Sequence, residues 1–149
     1  MPRHLRFYTP GKAATSEGTV RSVFELLAAR GWECTLDWTT VPVEKPYREH
    51  LEVNRPAAEA MKAAAASSDL VVLVPDAEVF GALIEIGAAL GAGAEVAVLG
   101  AGRQSVFWCL DQVHLLDDLD GLRNLAAEME ARHAGPRYDL CAGARWSAQ

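Results

Sequence analysis

The stretch DLVVLVP at residues 69–75 constrains the fold more than any other part of the chain. After its first aspartate it is continuously apolar, whereas a strand with one solvated face alternates apolar and polar side chains. A parallel strand that is covered by helices on both faces has this continuous pattern. The stretch therefore predicts an α/β protein in which the sheet lies between two layers of helices.

Strands and helices alternate on both sides of this stretch. The predicted strands span residues 4–9, 33–38, 69–75, 95–99 and 113–116. Helices are predicted from the N-cap Ser16 to Gly31, from the N-cap Asn54 to residue 68, over 81–93, over a short 103–110 and over Leu119–His133. Residues 39–53 predict a long loop of the kind that can close over a site. This order predicts a doubly wound, five-stranded parallel sheet of the flavodoxin or Rossmann type.

Length and composition indicate the kind of protein. The 149 residues fit a single domain, with a core over about residues 5–133 and a C-terminal tail at 134–149. A net charge of −6 argues against nucleic-acid binding. The three cysteines and four histidines are scattered, so we expect no metal site, no cofactor and a reducing compartment. Without a signal peptide or an apolar run of membrane-spanning length, we expect a cytoplasmic protein that does not enter a membrane.

The topology also predicts where a ligand binds. In doubly wound sheets, ligands lie beyond the carboxyl ends of the strands, where the winding reverses. The loops at residues 9–12, 37–39, 76–81 and 100–105 should meet along this rim. The candidate functional residues below all come from this rim or from the elements that reach it.

Glu85 is the single charged residue in the apolar stretch FGALIEIGAALG at residues 80–91. Its helical neighbours are Gly81, Ala82, Ala88 and Ala89, which leave room for a ligand or another helix to approach. We expect Leu83, Ile86 and Leu90 to face the sheet. A carboxylate near a helix N-terminus stays anionic, which suits a nucleophile. The alternative is a solvated charge on an amphipathic helix.

Several rim residues each have two possible roles. Gly11 and Lys12 follow the first strand and can hold a phosphate, or form an ordinary turn with a surface lysine. Tyr8 can stack on a base or belong to the core, and its position within a strand favours the core. Asp37 can bind sugar hydroxyls, and Trp38 can cover a base or only pack.

Five segments resemble the nucleoside 2-deoxyribosyltransferase-like superfamily, which includes small nucleotide N-glycosidases. They are RFYTPGKA, GWECTLDWTT, SSDLVVLVPD, GALIEIGAALGAGAEVAVLG and SVFWCLDQVHLLDDLDGL. The similarity covers about residues 5–125, and its most specific element is Gly81-x-x-x-Glu85-x-Gly87 after the Asp69 strand. It implies a doubly wound fold, a homodimer or larger homo-oligomer, and Glu85 as the nucleophile that attacks the anomeric carbon of a nucleoside.

The resemblance also implies further site residues. Arg103 and Ser105 lie where related nucleotide hydrolases recruit a serine for phosphate from the adjacent subunit, and the alternative is a plain loop with a helix cap. The transferases carry two aspartates where this chain has Met61 and Val79. Asp76 or Glu78 can replace them as the acid that protonates the leaving base. The missing aspartates favour hydrolysis, or a loss of catalysis, over deoxyribosyl transfer.

The sequence therefore leads to one main functional hypothesis and two alternatives. The first is an enzyme, an N-glycosidase that cleaves a nucleoside or nucleoside 5'-monophosphate, with Glu85 as nucleophile. A second is a non-catalytic module that senses a nucleotide on the same rim. A third is cleavage of the nicotinamide glycosidic bond of NAD, since Toll/interleukin-1-receptor-like domains also use a glutamate near a parallel sheet. All three predict a small-molecule nucleoside or nucleotide as partner.

Overall fold

The centre of the molecule is a five-stranded, all-parallel sheet. The computed structural model describes residues 3–10, 17–75, 80–100 and 104–135. The strands are β1 (Arg6–Tyr8), β2 (Glu33–Cys34), β3 (Leu70–Leu73), β4 (Glu95–Leu99) and β5 (Val113–Leu116), in the spatial order β2-β1-β3-β4-β5. All four residues of β3 are buried. The continuous apolar pattern of this stretch thus correctly predicted a strand covered on both faces.

Helices cover both faces of the sheet. On one face, α1 (Glu17–Ala29) and α4 (Leu119–Ala134) pack their apolar side chains against the sheet. On the other face lie α2 (Leu51–Ala66) and α3 (Phe80–Gly91), which contribute mainly alanines to the core. The α/β class and the doubly wound parallel sheet are confirmed.

The direction of winding reverses between β1 and β3. The chain runs outward from β1 through α1 to β2, and then returns past β1 through α2 to β3. Because α1 and α2 cover opposite faces, they separate above the carboxyl ends of β1 and β3. This is the position where doubly wound sheets bind ligands.

The second strand is shorter than predicted. It was expected over residues 33–38, but β2 ends at Cys34, and Trp38–Thr40 form a 3-10 turn. Asp37 caps this turn, because its carboxylate accepts hydrogen bonds from the Thr39 backbone amide at 3.0 Å and from the Thr39 hydroxyl at 2.5 Å. This local capping competes with strand pairing, which an alternating pattern alone does not reveal.

The helix α2 begins earlier than predicted. Asn54 was expected to be the N-cap, but α2 starts at Leu51, and a 3-10 turn at Tyr47–Glu49 precedes it within the predicted loop. The Asn54 amide group instead holds that loop. It donates to the Glu44 and Tyr47 carbonyls at 2.7 and 2.9 Å and accepts from the Glu44 amide at 2.9 Å.

The connection from β4 to β5 also differs from the prediction. A short helix was expected over residues 103–110, whereas the structure has a 3-10 turn at Val106–Cys109. Ser105 caps this turn by accepting a hydrogen bond from the Phe107 amide at 3.3 Å. The predicted Ser16 N-cap and residues 136–149 of the predicted tail lie outside the described residues.

Replacing Asn54 tests whether its amide group holds the loop before α2. Asn54→Ala removes three hydrogen bonds to the loop backbone, so we expect the free energy of unfolding to fall by about 1 to 2 kcal/mol. Urea denaturation measures this change, and Arg55→Ala on the exposed side of the same turn is the control. Equal unfolding free energies for Asn54→Ala and the control would contradict this role.

Candidate active site

A hydrogen bond joins Glu85 on α3 to Tyr8 on β1. The Tyr8 hydroxyl donates to Oε1 of Glu85 at 2.7 Å. Tyr8 is fully buried, and Glu85 is partly buried. Tyr8 and the apolar side chains of α3 belong to the same core cluster, so the phenol reaches the carboxylate along the inner side of that helix. The bond fixes Glu85 at the switch point between β1 and β3.

The helix α3 turns its small residues toward the sheet. Ala82, Ile86 and Ala89 are buried, whereas Leu83, which was expected to face the sheet, is 43% exposed. Ala82, Ile86 and Ala89 form the stripe that faces the sheet, and Leu83 lies about 100° around the helix from Ala82, off that stripe. Gly81 is exposed in the first turn, and a built Cβ atom there would meet no neighbour within 4 Å.

Burial and the hydrogen bond from Tyr8 shift the pKa of Glu85 in opposite directions. Burial raises the pKa of the Glu85 carboxyl, and the hydrogen bond from Tyr8 offsets part of that rise. The sequence-based expectation was different, because it relied on the helix N-terminus to keep the carboxylate anionic. Glu85 is the sixth residue of α3, and the effect of a helix dipole fades beyond the first turn.

Tyr8 keeps its proton and remains a hydrogen-bond donor. Burial raises the pKa of the Tyr8 hydroxyl far above its ordinary value, and the negative charge and hydrogen bond of Glu85 raise it further. The Cys34 thiol contributes to the same rise. A phenol that stays protonated continues to donate its hydrogen bond to Oε1 of Glu85.

Trp38 lies next to this pair on the same rim. Its indole Nε1 donates to the carbonyl of Thr9 at 2.7 Å, and Thr9 directly follows Tyr8 at the end of β1. The indole is half-buried and packs against the core cluster that contains Tyr8. The structure thus holds an aromatic side chain beside the Tyr8–Glu85 pair.

The other candidates fall into two groups. Asp37 is exposed, and its carboxylate caps the turn that carries Trp38. Ser105 caps the turn after β4, and no described bond connects Asp37 or Ser105 with Glu85. The remaining candidates lie outside the described residues and comprise Gly11, Lys12, Asp76, Glu78 and Arg103.

Sequence reasoning missed the pairing of Tyr8 with Glu85. A signal for it existed in the alternation of β1, where Phe7 faces α1 and Tyr8 faces α2 and α3. A tyrosine buried on that face needs a partner for its hydroxyl, and Glu85 is the one charged residue of α3.

The clearest cavities among the described residues lie away from Glu85. One has a volume of about 360 Å³ and lies at the amino ends of β3 and β4. Its walls carry the ion pairs Arg3–Asp69 at 2.6 Å and Arg132–Glu95 at 2.7 Å. Neither Tyr8 nor Glu85 lines this cavity, whereas the open-sheet rule and the Tyr8–Glu85 pair select the carboxyl ends of the strands as the site.

The described residues contain neither a cluster of metal-binding side chains nor a membrane-spanning helix. Within ranges 3–10, 17–75, 80–100 and 104–135, no group of three or more His, Cys, Asp or Glu side chains is arranged to hold a metal ion. In the same ranges, no helix has the length and apolar character needed to cross a bilayer.

Comparison with known proteins supports the fold. No family model and no curated protein matches the sequence. Among solved structures, the chain is similar to the CMP N-glycosidase BcmB of Clostridium botulinum, with a TM-score of 0.56 and 17% sequence identity. The match covers 84% of this chain and 98% of that chain. The shared fold is the one implied by the resemblance to the nucleoside 2-deoxyribosyltransferase-like superfamily.

The raised pKa of Glu85 predicts how stability changes with pH. A carboxyl whose pKa is higher in the folded state stabilises the fold at low pH, and that contribution is lost as pH rises through the folded-state pKa. Glu85→Gln keeps an acceptor for Tyr8 and removes the buried charge. We therefore expect Glu85→Gln to unfold at a higher denaturant concentration than the wild type at pH 7, and the difference to shrink below about pH 4.

Glu59→Gln on the exposed surface of α2 is the matched control and should change little. A Glu85→Gln variant that is less stable than the wild type at pH 7 would show that the charge itself stabilises the fold.

Proposed function

We propose that this chain is an N-glycosidase of the nucleoside 2-deoxyribosyltransferase-like superfamily that cleaves a nucleoside 5'-monophosphate, with Glu85 as the nucleophile. The observation that carries the proposal is the partly buried Glu85 carboxylate, fixed by Tyr8 at the switch point of the sheet. The shared fold with a CMP N-glycosidase supports it, and makes CMP the first nucleotide to test.

The reaction proceeds by double displacement at the anomeric carbon. One oxygen of Glu85 bonds to C1' as the C1'–N bond breaks, and the departing base takes a proton from an acid. Water then attacks C1', its proton passes to the deprotonated acid, and the carboxylate is released. The sugar phosphate keeps its original anomeric configuration because C1' is inverted twice.

Tyr8 orients the nucleophile in this mechanism. Its hydroxyl holds Oε1 and directs Oε2 toward the substrate. The bond also lowers the pKa of Glu85 against the effect of burial, so the carboxylate is ionised over a wider pH range. The raised pKa that remains makes the ionised oxygen more basic and hence a stronger nucleophile.

The rest of the proposed site comes from the rim. Asp76 or Glu78 is the acid that protonates the base. Gly11 and Lys12, with Arg103 and Ser105, bind the 5'-phosphate. Trp38 covers the base and Asp37 binds the sugar hydroxyls, and the position of Trp38 beside Thr9 supports the first of these roles.

Hydrolysis fits this chain better than transfer to a second base. Met61 and Val79 stand where the transferases have aspartates, and Met61 is a partly buried residue of α2. No cofactor is required, because two carboxyl groups and water account for every bond that forms and breaks. The protein is proposed to act in the cytoplasm as a homodimer or larger homo-oligomer.

The direct test of the function is release of free base from a panel of nucleotides, nucleosides and NAD, followed by liquid chromatography. We expect release from at least one nucleoside monophosphate, and a loss of at least roughly 1,000-fold in Glu85→Ala, or about 4 kcal/mol in the barrier. Glu59→Ala on the exposed surface of α2 is the control and should retain full activity.

The same panel separates the alternatives. Release of nicotinamide from NAD alone would favour the NAD-cleaving enzyme. Nucleotide binding without release of any base would favour the sensor. Equal activity in Glu85→Ala and the wild type would remove Glu85 from the mechanism.

Tyr8→Phe tests the orienting hydrogen bond. We expect kcat to fall roughly 10- to 100-fold, about 1.4 to 2.7 kcal/mol, with a smaller change in KM. Because the bond lowers the pKa of Glu85, its loss should also move the acidic limb of the pH–kcat profile to higher pH. An acidic limb that stays in place would show that Tyr8 affects packing and not the carboxylate.

A further inference from the structure

The cavity at the amino ends of β3 and β4 lies at the opposite end of the sheet from Glu85. Its volume of about 360 Å³ is in the range of small-molecule pockets. Its wall comes from the residue before β1, the turn from α2 to β3, the turn from α3 into β4, and the end of α4. The proposed mechanism uses none of these residues.

Both signs of charge meet in this cavity. The side chains of Asp69 and Glu95 belong to the wall and are 20% and 21% exposed. Arg3 pairs with Asp69 at 2.6 Å, and Arg132 pairs with Glu95 at 2.7 Å. The side chains of these two arginines are 55% and 60% exposed. The carboxylates are therefore largely buried, and the guanidinium groups lie nearer to solvent.

Each carboxylate has a second partner besides its arginine. Asp69 accepts a hydrogen bond from the Arg6 backbone amide at 2.8 Å, and Glu95 lies 2.9 Å from Nε2 of His114. Exposed ion pairs of arginine add little to stability, because the long side chain loses conformational freedom when it is held in the pair. A ligand can thus take the place of an arginine beside its carboxylate at a small cost.

The pair of Arg132 and Glu95 indicates the class of ligand. An α-amino acid carries its ammonium and carboxylate groups on one carbon, and this pair presents the two opposite charges side by side. A guanidinium group also binds a carboxylate through two parallel hydrogen bonds. A ligand with one charge would meet a wall group of the same sign, whereas a ligand with both charges can pair each of them. Leu5 and Met129 add apolar surface to the wall.

We propose that this cavity binds a free, apolar α-amino acid. The ammonium group of the ligand pairs with Glu95 and Asp69, its carboxylate binds the Arg132 guanidinium, and its side chain contacts Leu5 and Met129. The proposal goes beyond the proposed function, because it concerns the other end of the sheet and needs no assumption about catalysis.

The test is binding of L-leucine to the full chain, measured by isothermal titration calorimetry. We expect affinity to fall roughly 10-fold or more in Glu95→Gln and in Arg132→Gln, because each variant removes one of the charges that pair with the ligand. Arg123→Gln is the control. Its arginine lies on the same helix in an exposed ion pair with Asp120, outside the cavity wall, so this variant should bind as the wild type does.

Three related compounds test which groups of the ligand are recognised. L-leucine methyl ester lacks the carboxylate, N-acetyl-L-leucine lacks the ammonium group, and glycine lacks the side chain. We expect each to bind at least roughly 10-fold more weakly than L-leucine. Equal affinity for the ester would indicate a site for cations, and equal affinity for the acetylated compound a site for anions. Either result would contradict the proposal.

Two further results would overturn the proposal. One is no binding of L-leucine to the wild type at concentrations up to about 10 mM. The other is equal affinity in the wild type, Glu95→Gln and Arg132→Gln. If the variants do not fold, NMR of the wild type decides the question. Leucine-induced shifts of the Gly93, Ala94 and His133 amides support the proposal, and shifts confined to the carboxyl ends of the strands contradict it.

Discussion

Burial of β3 on both faces is the constraint on which the rest of the structure depends. Its four residues have no polar side chain, so helices must exclude water from both sides. To supply helices on both sides, the chain winds once outward from β1 and then back past it to β3. The reversal separates α1 from α2 above the sheet, and it brings Tyr8 of β1 within hydrogen-bonding distance of Glu85 on α3.

The same constraint explains why the fold could be predicted from the sequence and some details could not. The continuous run at β3, the alternation of strands and helices, and the glycine after α1 are signals of long-range topology, and these predictions were correct. Gly31 ends α1 with a positive φ of 83°, which glycine adopts without strain. The errors at β2 and α2 arose where side chains bond to nearby backbone, as Asp37 and Asn54 do.

The candidate site was predictable to a similar degree. Glu85 was identified from its isolation among apolar residues, and its position at the switch point agrees with that reasoning. Its pairing with Tyr8 depends on which face of β1 the tyrosine occupies, and its raised pKa depends on how much of the carboxyl is buried. Both are properties of packing between elements distant in sequence, so local spacing could not give them.

The composition of α3 reflects its close packing on the sheet. Its buried residues are Ala82, Ile86 and Ala89, and its one charged residue, Glu85, accepts a hydrogen bond from Tyr8 and is the proposed nucleophile.

The proposed attack of Glu85 on the anomeric carbon is tested most directly by cleaving CMP, or the best nucleotide found, in buffer that contains methanol. NMR then identifies the methyl glycoside that forms when methanol replaces water. The predicted result is a methyl glycoside that retains the β configuration and that does not form with Glu85→Ala. A methyl glycoside with the inverted α configuration would contradict a covalent Glu85 intermediate.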